Sequence, residues 1–556
     1  MIKHIRWQAT IAFLGTILIV AILGYLAFSF TTVIVPDVGG TYVEGLAGNP
    51  KYINPILCQY NDVDRDLCAL IFNGLTDANE KGEIVPDLAT HWEVSDDGLT
   101  YTFHLRRDVR WHDGASFTAD DIVFTIKAIQ APDFQGVPYL ADLWRTVSVR
   151  RIDNYTVSFT LQEPFAPFID YTTVGILPAH ILQNIEAQAL SEARFNNQPV
   201  GTGLFQVEEL SAKHIVLRAN PHFYGARPYL STIEFRFYPD YESIFGAYER
   251  GEIEGISRVL PEDLPKARGH QNLNLFSARL SGYTLILLNL NNPNTPFFQS
   301  KEVRQALLYA LDRQKIIDQI LDGQGLVVQS PIMPDSWAYY QNIKKYGYDP
   351  AQAKTLLDQA GWVDSDGDGI REKEGIKLEF GLLTNDDPTR VKIIEEIARQ
   401  WAAVGVKAVP QTSGVSGLVR DFLRPRRYDA ILTQWQELPP DPDPYPLWHS
   451  TQGQGEGQNY TGFAHREADQ IMEEARRTTD QTRRMELYHR FQQIFADEVP
   501  ALLLYHPVYS YAIDTRVKGV QIAPMIDPSD RFRTITDWYV ITRRVILSEA
   551  QRQSGE

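Results

Sequence analysis

Two short stretches hold side chains whose types and spacing could do chemistry. In WHDGASFTADDIVFTI, residues 111–126, His112 and Asp113 stand side by side against a glycine, and the acidic pair Asp120-Asp121 follows. A His/Asp pair can move protons, and a His/Asp cluster can hold a metal ion. In DSDGDG, residues 364–369, Asp364, Asp366 and Asp368 occupy positions 1, 3 and 5 of an EF-hand-like loop with glycine at position 6. Such a loop offers oxygen ligands to calcium.

The elements that must position these groups argue for framework in both places. YTFHLRRDVRW, residues 101–111, alternates large apolar and polar side chains with the period of a strand. His112-Asp113-Gly114 then makes a turn, and Thr118 is followed three residues later by Asp121, just before an apolar run. Thr-x-x-Asp is a capping-box start: the hydroxyl accepts from an orphan N–H, and the carboxylate reaches back toward the positive helix end. The stretch is predicted to be strand, turn and capped helix, with no catalytic role for His112 or Asp113. In the second stretch a bidentate glutamate belongs at position 12, but Gly375 stands there and Glu374 falls one residue early. An acidic surface turn after the helix ending at Trp362 is the favoured reading. No cofactor is required, and a structural calcium ion on Asp364, Asp366 and Asp368 is the alternative.

The chain has 556 residues, 44% hydrophobic and 22% charged, so it can bury large cores in more than one domain. A formal net charge of −17 and no dense Lys/Arg stripe make nucleic acid an unsuitable partner. The sequence has no G-x-S-x-G elbow, no H-E-x-x-H and no Walker A loop, and its 12 histidines are scattered singly. A binding protein rather than an enzyme is expected.

The N-terminus departs from this soluble character. Residues 11–30, IAFLGTILIVAILGYLAFSF, carry no charge, and the next charged residue is Asp37. Twenty helical residues rise about 30 Å, enough to cross a bilayer core. A cleavable signal has a shorter apolar core of roughly 7–15 residues. Residues 1–36 are therefore predicted to be an uncleaved signal-anchor, with Lys3 and Arg6 on the cytoplasmic side and the rest of the chain outside. No cysteine ends the run, which excludes a lipoprotein. The two cysteines, Cys58 and Cys68, could close a loop of about ten residues worth about 2–3 kcal/mol. The favoured reading is two small buried hydrophobes, because Cys68 lies in the apolar helical stripe RDLCALIF.

Beyond the anchor, strand-like runs alternate with longer helical ones, as in an α/β protein. A strong amphipathic helix is predicted from Ser300 through SKEVRQALLYALDRQKIIDQIL, a second over PTRVKIIEEIARQWAAVGV stopping at Gly405, and a third over TRRMELYHRFQQIFADEVP halted by Pro500.

At this level the residues carry a family resemblance. PDLATHWEVSDDGLTYTFHLRRDVRWHDGASFTADDIVFTI resembles the hallmark segment of the family 5 solute-binding proteins, the peptide and nickel receptors of ABC importers. PVGTGLFQV at Pro199, NPHFYGARPYLSTIEFRFYPD at Asn220, VRQALLYALDRQKII at Val303, YDPAQAKTLLDQAGW at Tyr348 and YDAILTQWQELPPDPDPYPLWHS at Tyr428 follow in order.

The resemblance implies a two-lobed, periplasmic-binding-protein-like clamp of type II, cluster C, with an inserted subdomain. It places lobe I at residues 37–73, 198–282 and 501–545, the inserted subdomain at 74–197, lobe II at 283–500 and a tail at 546–556. Hinges are expected near Ser281-Gly282-Tyr283 and from Pro500 to Tyr505. It further implies a monomer that captures a peptide by hinge closure and hands it to permease and ATPase subunits. An oligosaccharide ligand and a membrane-tethered sensor are the rival readings. A nickel chelate would want clustered imidazoles in the cleft, which the sequence does not offer.

In the family, the tryptophan matching Trp435 lies at the lobe interface. In its dipeptide and oligopeptide receptors, an aspartate three residues later holds the peptide's amino group. That position is Leu438 here. The nearest acids, Glu437, Asp441 and Asp443, are the candidate replacements, with Arg390 for a ligand carboxylate and Tyr60 and Tyr460 completing the candidate set.

Overall fold

A computed structural model describes residues 2–79 and 81–546. Of the expected tail at 546–556, only Ile546 falls within the described residues. The chain opens with helix α1 (Ile2–Thr31), and residues 10–31 of it are long and apolar enough to span a membrane. Strand β1 (Thr32–Asp37) follows without a linker, and β2 (Thr41–Ala47) and helix α2 (Asp62–Ile71) begin the first lobe.

The inserted subdomain is built on four antiparallel strands: β3 (Ala89–Val94), β4 (Thr100–Leu105), β5 (Ser148–Asp153) and β6 (Thr156–Thr160), ordered β3-β4-β6-β5. Helix α3 (Ala119–Gln130) lies between β4 and β5 in the chain. The expected strand alternation is present, with Tyr101, Phe103 and Leu105 buried and their neighbours half-exposed. So is the capping box: the Asp121 carboxylate accepts from the Thr118 N–H at 2.9 Å and also from the Ala179 N–H at 2.9 Å.

The chain then returns to lobe I through β7 (Phe205–Leu210), β8 (His214–Ala219), β9 (Thr232–Tyr238), β10 (Gly255–Ile256) and β11 (Leu273–Arg279). Lobe II contributes β12 (Gly282–Leu288), β13 (Gly325–Val327), β14 (Glu379–Asn385), helix α4 (Pro388–Ala402), β15 (Lys407–Ser413), β16 (Ala430–Gln436) and helices α5 (Arg466–Arg477) and α6 (Gln481–Glu498). Strand β17 (Ala501–Asp514) and the final strand β18 (Ile541–Ile546) complete the fold.

One twelve-stranded sheet runs through both lobes in the order β15-β14-β16-β12-β17-β10-β2-β9-β8-β7, with β11 and β13 also paired to β17. Strand β12 reads GYTLILL and is buried at every position, the apolar run expected of a strand covered on both faces. Strand β17 belongs to both lobes. Its residues 501–505 pair with β12, and residues 508–514 pair with β11. Residues 505–507 pair with β13, so the lobe II partners run through Pro507 and the lobe I partners begin at Val508. On the lobe I side, the returning chain is pinned by Arg531, whose Nη2 donates to Glu44 at 2.7 Å and Asp66 at 2.6 Å in the interior.

The amphipathic run from Ser300 departs from expectation. It is two helices, Lys301–Tyr309 and Arg313–Ile320. Asp312 divides them: its side chain caps the second helix by accepting from the Lys315 N–H, and its own N–H donates to Gln400 Oε1 at 2.6 Å. The helices ending near Gly405 and Pro500 form as expected.

Candidate functional site

The parallel strands β14 and β16 run side by side, Leu382 opposite Ala430 and Leu383 opposite Ile431, so β16 continues past the end of β14 at Asn385 before it stops at Gln436; in open α/β sheets ligands bind outside the carboxyl ends of strands. The first residue of β12, Gly282, lies at the same end, opposite Gln436. There the backbones approach so closely that a Cβ on Gly282 would sit 2.2 Å from the Trp435 carbonyl oxygen, and its φ of +133° also favours glycine. The expected hinge segment Ser281-Gly282-Tyr283 lies at this close approach.

Trp435 pairs with Tyr283 across the ladder and lies parallel to the Tyr460 ring at 5.8 Å and 7°. Its indole Nε1 is shielded from solvent and has no hydrogen-bond acceptor. A shielded donor without an acceptor is a site that a ligand oxygen can satisfy. Asn385 Oδ1, at the end of β14, is likewise shielded and unpaired. Sequence reasoning did not single out Asn385; the available signal was its place at the end of an apolar strand run, just before the Asp-Pro-Thr helix start.

On the first turn of α4, the Arg390 guanidinium donates to Gln434 Oε1 at 3.1 Å, while its backbone N–H donates to the capping Asp387 carboxylate at 2.9 Å. Gln434 and Trp435 are neighbours on a strand, so their side chains point to opposite faces. The structure therefore places Arg390 and Trp435 at one end of the sheet but on opposite sides of it. Tyr60 is 61% exposed in the turn before α2, with no ring contact to the other candidates.

The three candidate acids are all engaged with arginines. The backbone turns at Glu437 through a left-handed φ of 54°, held by its N–H to Ser281 O at 2.9 Å. The Glu437 carboxylate pairs with Arg65 of α2 at 2.7 Å, linking the lobes. Arg65 also faces Asp527 at 2.9 Å, and Asp62. Burial works to lower the Arg65 pKa, but Asp527, Glu437 and Asp62 outweigh it and hold the group well above its ordinary value. Burial raises the Glu437 pKa, with Arg65 opposing.

Asp441 and Asp443, expected to aim a free carboxylate inward, do not. Asp441 is gripped at both oxygens by Arg484, at 2.5 and 2.6 Å, and Asp443 by Arg476 at 3.0 Å. Each arginine comes from a helix packed behind the loop, α6 and α5. The Asp441 N–H donates to Asp170 of the inserted subdomain at 2.9 Å, a second link between the lobes. Burial, and then the Asp441 charge, push Asp170 up to about 7. Leu438 packs against an apolar cluster of lobe II.

The two stretches that first suggested chemistry are built differently. His112 Nδ1 accepts from the Gly201 N–H at 3.2 Å, which leaves Nε2 to donate to Gly203 O at 3.0 Å. Burial lowers its pKa to about 4, so it stitches the inserted subdomain to lobe I as a neutral ring. In the DSDGDG loop the converging carboxylates are Asp364, Asp366 and Glu372. Asp368 is not among them; with Asp366 it engages the Lys377 ammonium. Glu372 stands at position 9 of the loop. Cys58 and Cys68 are both free and buried.

Residues 83–457 match the middle region of the bacterial extracellular solute-binding proteins, family 5. The chain is 32% identical over 500 residues to the oligopeptide-binding protein AppA of Bacillus subtilis, covering 88% of this chain and 91% of that one. It is 28% identical to the dipeptide-binding protein of Escherichia coli over 87% of this chain and 92% of that one. The structure of AppA in complex with a nonapeptide superposes with a TM-score of 0.71 at 31% identity, covering 91% of this chain and all of that one. NikZ of Campylobacter jejuni in complex with Ni(L-His) gives 0.72 at 27% identity, covering 90% and 99%. With its fold and most of its length accounted for in this way, the chain belongs to the family 5 bacterial extracellular solute-binding proteins.

Proposed function

We propose that the protein is the substrate-binding component of an ABC importer, held to the membrane by α1, that closes its lobes on a peptide and presents it to permease and ATPase subunits. The observation that carries this reading is Trp435: an indole beside a parallel tyrosine ring, its N–H unpaired, at the hinge end of a sheet shared by both lobes. Solute contacts to both lobes would supply the differential affinity that favours closure.

The ligand's amino terminus is not the anchor. The Leu438 side chain accepts nothing, Asp441 and Asp443 are each paired with an arginine of lobe II, and Glu437 is held by Arg65, which it shares with Asp62 and Asp527. The receptor is therefore expected to take longer or N-blocked peptides as readily as free ones. The acidic loop at residues 364–369 has no part in capture; Lys377 is its counter-charge.

Thermal-shift screening tests the ligand class, since a ligand at 100 times its Kd stabilises by about 2.7 kcal/mol. Peptides and their N-acetylated forms should raise the Tm alike, and Trp435→Ala should weaken them by about 1–3 kcal/mol. Shifts by oligosaccharides and not by peptides would overturn the peptide reading. Dependence on a free amino group would overturn the reading of Leu438. Membrane attachment is checked separately by N-terminal sequencing, where a start near residue 30 would contradict it.

A further inference from the structure

Strands β3 and β4 pair antiparallel with His91 opposite His104, after an irregularity that sets Thr90 out of register. The period of two puts His91 and Glu93 on the outward face, while Trp92 turns inward against Phe103 at 6.0 Å. The two imidazoles lie nearly parallel, their centroids 4.4 Å apart at 11°. Glu93 Oε1 is 3.9 Å from His104 Nε2, and one donor atom from each of the three residues lies within 4.8 Å of the others.

Two further observations point to a ligand for these atoms. His104 Nε2 is shielded from solvent and has no hydrogen-bond partner; 3.9 Å is too long for a bond to Glu93. A shielded polar atom left unpaired calls for an ion or water. The second observation concerns the tautomer of His91. The Thr90 hydroxyl has one proton, which it donates to the His104 carbonyl at 3.0 Å. Its contact with His91 Nδ1, also 3.0 Å, must then be one in which the ring N–H donates. That leaves the His91 Nε2 lone pair free, the arrangement by which a neighbouring oxygen orients a metal-ligating histidine.

We propose that His91, Glu93 and His104 form a binding site for a divalent transition ion of the zinc, nickel and copper class on the outer face of the inserted subdomain. Imidazole suits these ions, and two histidines with one carboxylate leave positions open for water or an exchanging ligand. Ligand atoms about 2.0–2.2 Å from a tetrahedral ion stand roughly 3.4 Å from one another. Rotation of the exposed His91 and Glu93 side chains closes the remaining distance. Trp435 belongs to lobe II, so metal binding and solute capture are separable functions of two regions.

The test is titration of the untagged, full-length protein, stripped of metal, with Zn²⁺ by calorimetry. One ion per chain is expected at this site, with His91→Ala and His104→Gln each weakening it at least about tenfold. Asp364→Asn and Trp435→Ala should bind Zn²⁺ as the wild type does. All four variants should keep the Tm of the metal-free wild type, which separates lost binding from lost folding. Wild-type protein that binds no Zn²⁺, or a His91→Ala/His104→Gln double variant that binds it unchanged, would overturn the assignment. So would loss of binding in Asp364→Asn alone.

Discussion

Two polar clusters join the lobes, and they handle charge in opposite ways. Near the hinge, Arg65 faces Asp62, Glu437 and Asp527, three carboxylates around one guanidinium, and the link between lobes is itself an ion pair. At the inserted subdomain, Arg484 is spent within lobe II on Asp441, and what crosses to Asp170 is a backbone N–H. The first cluster is short of positive charge. The second neutralises one carboxylate and leaves the other nearly alone. A carboxylate near a cleft is thus a ligand candidate only when no arginine packed behind it has already claimed it.

The comparison is broken most forcefully at Arg484. Its side chain is 6% exposed, and Arg484→Met leaves Asp441 buried without its partner beside Asp170. A loss of about 3–5 kcal/mol is expected by urea denaturation. A loss near zero would mean that Asp441 carries no buried charge. Arg65→Met removes one of the ion pairs that cross between the lobes, with Arg279–Asp335 and Arg477–Glu163 remaining, and leaves three acids facing one another. Because Arg65 and Glu437 retain some solvent, a smaller effect of about 1–3 kcal/mol is expected on closure. The readout is a larger radius of gyration for the ligand-free protein in X-ray scattering, and an unchanged radius would show that the latch does not hold the lobes.

The smallest effect is the most specific. The Asp170 carboxyl titrates at about 7 in the folded protein, above its ordinary range near 4, so folding favours its protonated form. The stability this contributes is complete below pH ~4 and is lost as pH rises through about 7. Asp66, Asp87 and Asp530 are each pushed up to about 6 by burial and decline over an overlapping window, so the wild type alone cannot isolate Asp170. Asp170→Asn keeps an acceptor for the Asp441 N–H and removes the charge. It should flatten part of the decline between pH 4 and 7 and stabilise the protein by about 1 kcal/mol at pH 7.5. Parallel Tm curves for variant and wild type across pH 4–8 would assign the decline to other groups.

What was legible in the sequence is what is local in the chain. The Thr118/Asp121 capping box, the alternation of β4 and the helix stop at Gly405 all declare themselves within a few residues. The site was legible only in part. Trp435 could be placed by motif, but the partners of Asp441 and Asp443 lie on α6 and α5, more than thirty residues downstream, and only packing brings them together. His91 and His104 look like two isolated histidines until a hairpin sets them opposite each other. The split after Tyr309 was hidden because Asp312 reads as one polar position of a continuous helix, and its deciding partner, Gln400, comes from another helix.

Strand β1 follows α1 directly and pairs antiparallel along its full length with β18, from Thr32 with Ile546 to Asp37 with Ile541. Nearly the whole chain separates these partners, so this is the contact with the greatest loop-closure entropy in the fold. During synthesis β1 must wait with a bare edge until β18 has been made. A chain cut short before Ile541 would keep the strands of both lobes, yet display that edge, where a neighbouring copy could add a strand to it.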